Sequence, residues 1–197
     1  MYVGPYNNCM YTRSPISSLK ARAVLIDMED SVVNSSLGSN IGEIFDPGLS
    51  ITSQSGSGNN WATGFCEYGA QYREAIYDSL RCAAEKCDAM GSWFLIHSMG
   101  GGTGSGLGTN ILQILRDEFP QTERLVTSVY PSEDDDVITS PYNTVLAMQQ
   151  LTDNADSVIP VDNCSLAAIV DRVRAASGRN KITQNDQVIK SHFELDL

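Results

Sequence analysis

The chain has 197 residues, of which 42% are hydrophobic and 19% charged, so it contains enough apolar material for one domain with a buried core. Its formal net charge of −11 argues against a nucleic-acid-binding surface, because such a surface needs a basic stripe. No apolar run reaches transmembrane length, and residues 1–14 lack the apolar core of a secretory signal. We therefore expect an intracellular protein that has no nucleic acid or membrane as a partner.

The first half of the chain contains one predicted strand and one long predicted helix. The strand covers residues 21–27, and a loop-rich stretch with a short helical turn follows it, broken by Asp-Pro-Gly at 46–48. From Ala70 to Met90 the apolar residues recur at helical spacing, which predicts the longest helix of the chain.

The second half alternates strands and helices. The predicted strands are 93–98, 124–129 and 157–161, and the predicted helices are 104–117, 141–151 and 163–175. We expect Ser140 and Asn163 to cap the last two helices. Strands separated by helices form parallel crossovers, so residues 18–176 are predicted to form an α/β fold with a doubly wound parallel sheet. Residues 1–17 and 177–197 are left unplaced, the latter as a candidate disordered tail.

Six of the sixteen glycines lie within "HSMGGGTGSGLGTN", residues 97–110. Glycine loses more conformational freedom on folding than any other residue, so this cluster indicates a backbone that must approach something closely. A strand, a glycine loop and a helix start in that order are typical of a phosphate site, because free N–H groups and the helix dipole face the anion. The residues predicted to contribute are Ser98, Gly100, Gly101, Gly102, Thr103, Gly104 and Ser105.

Two common phosphate loops do not match this stretch. The nucleoside-triphosphatase pattern G-x-x-x-x-G-K-[ST] needs a lysine, and none occurs between Lys86 and Lys181. The dinucleotide pattern G-x-G-x-x-G fails because every register ends on a residue other than glycine. Since the loop has no cation of its own, a bound polyphosphate would need Mg²⁺ or a similar ion.

Polar residues also occur in the other loops that follow predicted strands, where ligands of doubly wound sheets bind. The acidic stretch "DMED" at 27–30 suits Mg²⁺ bound through water, and Asn59 suits a phosphate as an amide donor. Asp136 suits ribose hydroxyls, and Asn163 suits a purine edge. Taken alone, each is equally well explained as a solvated turn or a helix cap. His97, at the end of a buried strand, is expected to be a hydrogen-bonded structural residue rather than a catalytic base.

The segment "GGGTGSG" (100–106), together with "SGSGNNWATG" (55–64) and "SPYN" (140–143), resembles the tubulin family. Residues 18–34 and 130–143 are most similar to the epsilon branch of that family, which is associated with centrioles and basal bodies. The resemblance extends over about residues 18–175. It implies a GTP-binding domain of Rossmann-like type that is incomplete at both ends, since the family's first loop, its central helix and its second domain are not found.

The resemblance also implies roles for individual residues. GTP and Mg²⁺ would be the cofactors, with Glu29 supporting the metal and Asn59 contacting the terminal phosphates. Asp136 would contact the ribose and Asn163 the guanine, and the phosphates would lie on the loop residues Ser98, Gly102, Thr103 and Gly104. Ser140 stands where many tubulins have a glutamate, so one polar contact near the ribose is in question.

The implied partners are other tubulins and microtubule or centriolar components. The implied location is the cytoplasm and its cytoskeleton, at the centrosome, centriole or basal body. GTP hydrolysis would need a carboxylate from a neighbouring subunit, so this chain alone is not expected to hydrolyse GTP.

Two other functions stay open at this point. One is a dinucleotide-dependent oxidoreductase on a similar sheet, which the missing G-x-G-x-x-G pattern opposes. The other is an interaction module that no longer binds nucleotide, which fits the missing first loop. Binding of GTP, ATP and NAD, with and without Mg²⁺, separates the three.

Overall fold

The computed structural model describes residues 1–6, 20–131 and 137–177. In these residues one sheet contains the strands β1 (Tyr2–Tyr6), β2 (Val24–Asp27), β3 (Ser50–Thr52), β4 (Ser92–Ser98), β5 (Glu123–Tyr130) and β6 (Ser157–Asp162). Their order across the sheet is β3-β2-β1-β4-β5-β6.

The helices connect these strands. The α-helices are α1 (Asp30–Leu37), α2 (Gly69–Gln71), α3 (Arg73–Glu85), α4 (Gly108–Glu118), α5 (Ser140–Asn154) and α6 (Asn163–Ser177). Two π-helical turns precede α2 and α4, namely π1 (Thr63–Tyr68) and π2 (Thr103–Leu107). Short 3-10 turns cover Gly42–Ile44 and Pro47–Leu49. The predicted helix at 104–117 is therefore π2 followed by α4. The helix predicted at 70–90 is divided into α2 and α3, and with 13 residues α3 is shorter than α5 and α6, which have 15 each, so the prediction that it is the longest helix is wrong. No helix in the described ranges is long and apolar enough to cross a membrane.

Strand β1 is a departure from the predicted all-parallel sheet. The pairs β2–β3, β4–β5 and β5–β6 are parallel, as predicted. However, β1 runs antiparallel to both of its neighbours, and Tyr2 pairs with Leu25 on one side and Ile96 on the other. A segment that the sequence left unplaced thus lies in the middle of the sheet. The predicted α/β fold is confirmed, with a mixed sheet in place of a wholly parallel one.

The predicted cap of α5 is wrong. The N-cap residue is Thr139, and Ser140 is already the first helical residue. The buried Ser140 hydroxyl instead donates to the carbonyl oxygen of Gly100 at 3.3 Å. The helix therefore begins with a side chain that contacts the glycine loop.

At α6, the side chain of Asp162 accepts from the backbone N–H groups of Cys164 and Ser165, at 3.2 and 3.1 Å. These bonds satisfy donors that the first turn of a helix leaves free. Asn163 is already the first helical residue of α6, so the predicted cap at Asn163 is wrong and Asp162 occupies the cap position instead.

The hydrophobic core packs helices α3 and α4 against the sheet. Four large apolar residues of α4 are fully buried, namely Ile111, Leu112, Ile114 and Leu115. Ile76 and Leu80 of α3 are fully buried too, in agreement with the helical spacing of its apolar residues. Trp93 of β4 contacts Phe119 edge-on, with ring centroids 5.1 Å apart. Because α4 is held firmly in the core, the glycine loop that leads into it is held as well.

Candidate functional site

A cleft of about 280 Å³ opens where three strands of the sheet end. Asp27 ends β2 and Glu29 follows it, residues 56–59 follow β3, and residues 101–103 follow β4. All three groups line the cleft. This is the position at which ligands of open α/β sheets bind. Of the loops after predicted strands, those after residues 27 and 98 meet at this cleft, whereas the loop at 56–59 follows a strand that the sequence did not predict.

The loop at 56–59 has the tight turns that its composition favours. Gly56, Gly58 and Asn59 have φ values of 61°, 58° and 50°. Glycine adopts this left-handed region without steric cost, and asparagine is among the few other residues enriched there. The N–H of Gly56 donates to the Met28 carbonyl at 2.8 Å, which joins this loop to the one after β2. The hydroxyl of Tyr68 fixes the other side by donating to the Gly56 carbonyl at 2.7 Å.

Asn143 of α5 connects the same loop to the glycine loop. Its amide nitrogen donates to the carbonyl oxygens of Asn59 and Gly100, both at 2.8 Å. Its amide oxygen accepts from the backbone N–H of Trp61 at 2.9 Å. Thr139 adds a second bond to the Asn59 carbonyl, at 2.7 Å. Sequence reasoning noted the "SPYN" motif but gave Asn143 no role, and that motif was the available signal.

Glycines of the loop after β4 are required by the protein's own packing. A Cβ atom on Gly102 would lie 2.6 Å from the Asn60 backbone nitrogen, and one on Gly104 would lie 2.5 Å from the Ser98 carbonyl oxygen. Gly101 and Gly102 line the cleft, whereas Gly104 packs against the end of β4. Glycine here allows loop and helix to approach each other closely, which brings the backbone to the cleft wall.

The three hydroxyls predicted as donors have different surroundings. Thr103 lines the cleft, and its hydroxyl forms a 3.0 Å hydrogen bond with the hydroxyl of Ser57, which also lines the cleft. Ser105 is fully buried and donates to the carbonyl oxygen of Gly101, so its hydroxyl stabilises the loop from inside. Ser98 is half-buried beside Gly104 and does not line the cleft. Of these hydroxyls, that of Thr103 is the one positioned at the cleft.

Two carboxylates lie on the β2 side of the cleft. Asp27 is only 4% exposed, and burial is the main reason that its pKa is raised. Its Oδ1 accepts from the backbone N–H of Glu29 at 3.2 Å. The Glu29 side chain is exposed and accepts from the Ser31 hydroxyl at 2.8 Å.

The two acids fit a magnesium ion bound together with phosphate. Within the described ranges no group of three His, Cys, Asp or Glu side chains could hold a metal ion. Mg²⁺ commonly uses one or two carboxylates and takes its other ligands from water and substrate phosphates. Asp27 and Glu29 supply that number of carboxylates at the edge of a cleft walled by glycine backbone.

His97 has the structural role expected from the sequence. It is 3% exposed, with Nδ1 2.9 Å from the Gly104 carbonyl oxygen and Nε2 2.9 Å from the Ser128 hydroxyl. A carbonyl oxygen can only accept, so Nδ1 carries the proton and Nε2 accepts from Ser128. Burial lowers the pKa of His97 to about 4. The neutral ring therefore connects the glycine loop to β5.

The predicted base and ribose contacts are not part of the cleft as described. Asp136 lies outside the described residues, and so does the side chain of Asn163. The lining residues correspond to the predicted phosphate and metal end of the site, namely Glu29, Asn59, Gly101, Gly102 and Thr103.

Comparison with known proteins identifies relatives over most of the chain. Residues 6–171 match the model of the Tubulin/FtsZ family, GTPase domain. The Tubulin epsilon chain of Mus musculus is 51% identical over 93% of this chain and 41% of its own length. The Tubulin epsilon chain of Homo sapiens is 54% identical over 82% of this chain and 34% of its own length.

A third relative, the Tubulin beta-6 chain of Gossypium hirsutum, is 41% identical over 77% of this chain and 34% of its own length. Identity to both epsilon chains exceeds identity to this beta chain, in agreement with the resemblance seen in the sequence. The chain spans less than half the length of these relatives.

Proposed function

Since the chain belongs to the Tubulin/FtsZ family, we propose that its cleft binds GTP together with Mg²⁺. The observation that carries this proposal is the meeting of three strand-end loops around one cleft, with glycine backbone on one wall and two carboxylates on another. Backbone N–H groups at a helix start suit phosphate, and the acids suit the metal that offsets its charge.

The proposal assigns each wall a part. The phosphates lie against Gly101, Gly102 and Thr103, where π2 begins, and Asn59 reaches them from the opposite loop. Glu29 supports the Mg²⁺ ion, which neutralises phosphate charge in a cleft whose described lining contains no lysine or arginine. Ser98, Gly100, Gly104 and Ser105 support the loop from behind.

Beyond the described cleft, Asp136 contacts the ribose and Asn163 the guanine. The similarity to epsilon chains supports a cytoskeletal protein whose partners are other tubulins and microtubule or centriolar components, at the centrosome, centriole or basal body. On this proposal GTP hydrolysis depends on contact with a neighbouring subunit.

The test is equilibrium binding of fluorescent GTP, GDP, ATP and NAD to the purified chain, with Mg²⁺ or with EDTA. We expect GTP to bind in preference to ATP and NAD, and EDTA to weaken GTP more than GDP, because the terminal phosphate carries the extra charge. Glu29→Ala should reproduce the EDTA effect, weakening GTP roughly tenfold. The matched control is Glu74→Ala, which removes an exposed glutamate of α3 that does not line the cleft. It should leave GTP affinity unchanged.

Two results would contradict the proposal. If the wild-type chain binds none of the four nucleotides in the presence of Mg²⁺, the result would favour the interaction module that no longer binds nucleotide. Preferential binding of NAD would indicate an oxidoreductase instead.

A further inference from the structure

Asn143 makes three hydrogen bonds without lining the cleft. It is 3% exposed, lies in the first turn of α5, and bonds Asn59, Gly100 and Trp61 at 2.8 to 2.9 Å. A side-chain amide has two N–H donors and one carbonyl acceptor. Both of its donors and its acceptor are thus in use. Of the three partners, Asn59 lines the cleft, Gly100 precedes Gly101 of the lining, and Trp61 follows Asn59 by two residues.

From this arrangement we propose that Asn143 is a positioning residue, which sets the spacing between the loop after β3 and the glycine loop and thereby controls nucleotide affinity. The inference rests on the proposed function, because the affinity it controls is that for GTP. It assigns the residue a role beyond local stability, because the two loops follow different strands and Asn143 bonds to both of them.

The chemistry of the three partners requires an amide at this position. The oxygens of Asn59 and Gly100 can only accept, and the backbone nitrogen of Trp61 can only donate, so the orientation of the amide follows from its partners. A carboxylate has no donor for either carbonyl, and alanine has neither donor nor acceptor. Replacing Asn143 therefore removes a hydrogen bond from each loop in one step.

The bond to Asn59 acts on a residue that lines the cleft. Asn59 has a left-handed backbone with φ of 50°, and its carbonyl oxygen accepts from both Asn143 and Thr139. The bond to Gly100 acts on the residue immediately before Gly101, which lines the other wall. A change at Asn143 is thus transmitted to both walls of the cleft.

The chain offers a matched control in Asn154, a second asparagine of α5. It is also 3% exposed, and its side chain donates to the Gln150 carbonyl at 2.8 Å and accepts from Arg116. It lies at the other end of the helix, away from the residues that line the cleft. Asn154→Ala therefore removes a buried amide of the same kind from the same helix and leaves the two loops untouched.

The experiment measures GTP affinity, melting temperature and amide hydrogen exchange for wild type, Asn143→Ala and Asn154→Ala. We expect both variants to melt at a lower temperature. Asn143→Ala should weaken GTP roughly tenfold or more and speed exchange at residues 56–61 and 100–104. Asn154→Ala should bind GTP within about twofold of wild type, with exchange in those two segments unchanged.

Two further variants keep the test decisive. Asn143→Asp preserves the side-chain volume and the acceptor for Trp61 but removes both N–H donors. Its affinity for GTP should therefore fall as in Asn143→Ala. Thr139→Val is a milder change, because Thr139 is exposed and the substitution removes only one of the two bonds to the Asn59 carbonyl. It should weaken GTP by a smaller factor and speed exchange at residues 56–61 alone.

Several outcomes would overturn the inference. They are an unchanged GTP affinity in Asn143→Ala or Asn143→Asp, an equal loss in Asn154→Ala, and no effect of Thr139→Val on exchange at 56–61. If wild type itself binds no GTP, the proposed function fails separately. Hydrogen exchange then still decides whether Asn143 holds the two loops: faster exchange in both supports that role, and unchanged exchange excludes it.

Discussion

At the scale of single residues, His97 is a titratable side chain that the fold keeps neutral. It donates to the Gly104 carbonyl and accepts from Ser128, and its pKa falls from the ordinary 6.5 to about 4 because the ring is buried. The unfolded chain therefore takes up a proton at a higher pH than the folded chain does. Stability is expected to be full above about pH 6.5 and to fall as the pH drops towards about 4.

Replacing His97 with asparagine should remove this pH dependence. Asparagine still offers a donor towards Gly104 but does not titrate, so the variant should lose stability at neutral pH and then change less between about pH 6.5 and 4. The wild-type loss from this residue amounts to at most about 3 kcal/mol over that range. Urea unfolding at a series of pH values measures the difference between the two proteins.

Comparing the two proteins is necessary because the titration of Asp27 changes stability with pH in the direction opposite to that of His97. Burial raises the pKa of Asp27, so the folded protein binds a proton at this carboxylate more readily than the unfolded chain does. The contribution of Asp27 to stability therefore increases as the pH falls through its raised pKa. The contribution of Asp27 is common to both chains and cancels in their difference. Parallel stability curves for wild type and His97→Asn would contradict the assigned neutral role of His97.

The residues of the candidate site differ in how far sequence alone could locate them. Gly102 and Thr103 are recognisable because they lie in a glycine loop directly after a predicted strand, and Asn59 because it lies in a loop of small residues. Composition of this kind is a local property. Asn143 acts through partners 43 and 84 residues away in the chain, and the "SPYN" motif that contains it does not indicate which partners its side chain bonds. Similarly, the role of Ser105 inside the loop depends on burial that its glycine-rich surroundings do not indicate.

At the scale of elements, the two π-helical turns cross with no room for side chains between them. A Cβ atom on Gly106 of π2 would lie 2.3 Å from the Trp61 carbonyl oxygen and 3.0 Å from the Cα atom of Gly64 in π1. A Cβ atom on Gly64 would in turn lie 2.3 Å from the Gly102 carbonyl oxygen. This crossing fixes the loop after β4 against the loop after β3.

Gly106→Ala should therefore destabilise the protein. The atoms that its methyl group would meet belong to the backbone, which cannot move aside as a flexible side chain can. We expect a loss of about 1 to 3 kcal/mol in the free energy of unfolding, together with weaker GTP binding. Chemical denaturation and a nucleotide titration measure the two effects.

Gly48→Ala is the control for that substitution, because a Cβ atom there meets only the flexible side chain of Asp46, at 3.3 Å. Its effect on unfolding should stay within about 0.5 kcal/mol. Equal stability losses in Gly48→Ala and Gly106→Ala would show that the crossing of π1 and π2 has no special packing requirement.

The elements that sequence analysis missed have physical reasons for being missed. Strand β1, "YVGPY", contains glycine and proline, which are unfavourable in the interior of a sheet. Its glycine is needed because a Cβ atom on Gly4 would lie 2.2 Å from the Arg22 carbonyl oxygen. Strand β3 has only three residues, too few for a recognisable alternation. By contrast, β4 to β6 are longer and were predicted within one or two residues of their bounds.

At the scale of the whole molecule, net charge and local site act on a nucleotide in opposite directions. The 24 acidic residues outnumber the 13 basic ones, which gives a net charge of −11. The described lining of the cleft adds two carboxylates and no basic side chain. Attraction of phosphate thus depends on short-range contacts with N–H groups and on Mg²⁺, whereas the long-range field repels an anion.

This opposition predicts an unusual dependence of association rate on salt. The Debye length shortens from about 30 Å at 0.01 M to about 10 Å at 0.1 M ionic strength, so added salt screens the distant charges first. Backbone contacts inside the cleft are too short-ranged to be screened as strongly. We expect the association rate of Mg²⁺-bound GTP to rise roughly two- to fivefold over that range at constant Mg²⁺. Stopped-flow fluorescence with labelled GTP measures it, and Mg²⁺-bound GDP, which carries less negative charge than Mg²⁺-bound GTP, should show a smaller rise. An association rate that falls with salt would mean that the cleft itself presents a net positive potential, and that the glycine backbone outweighs the charge of the entire chain.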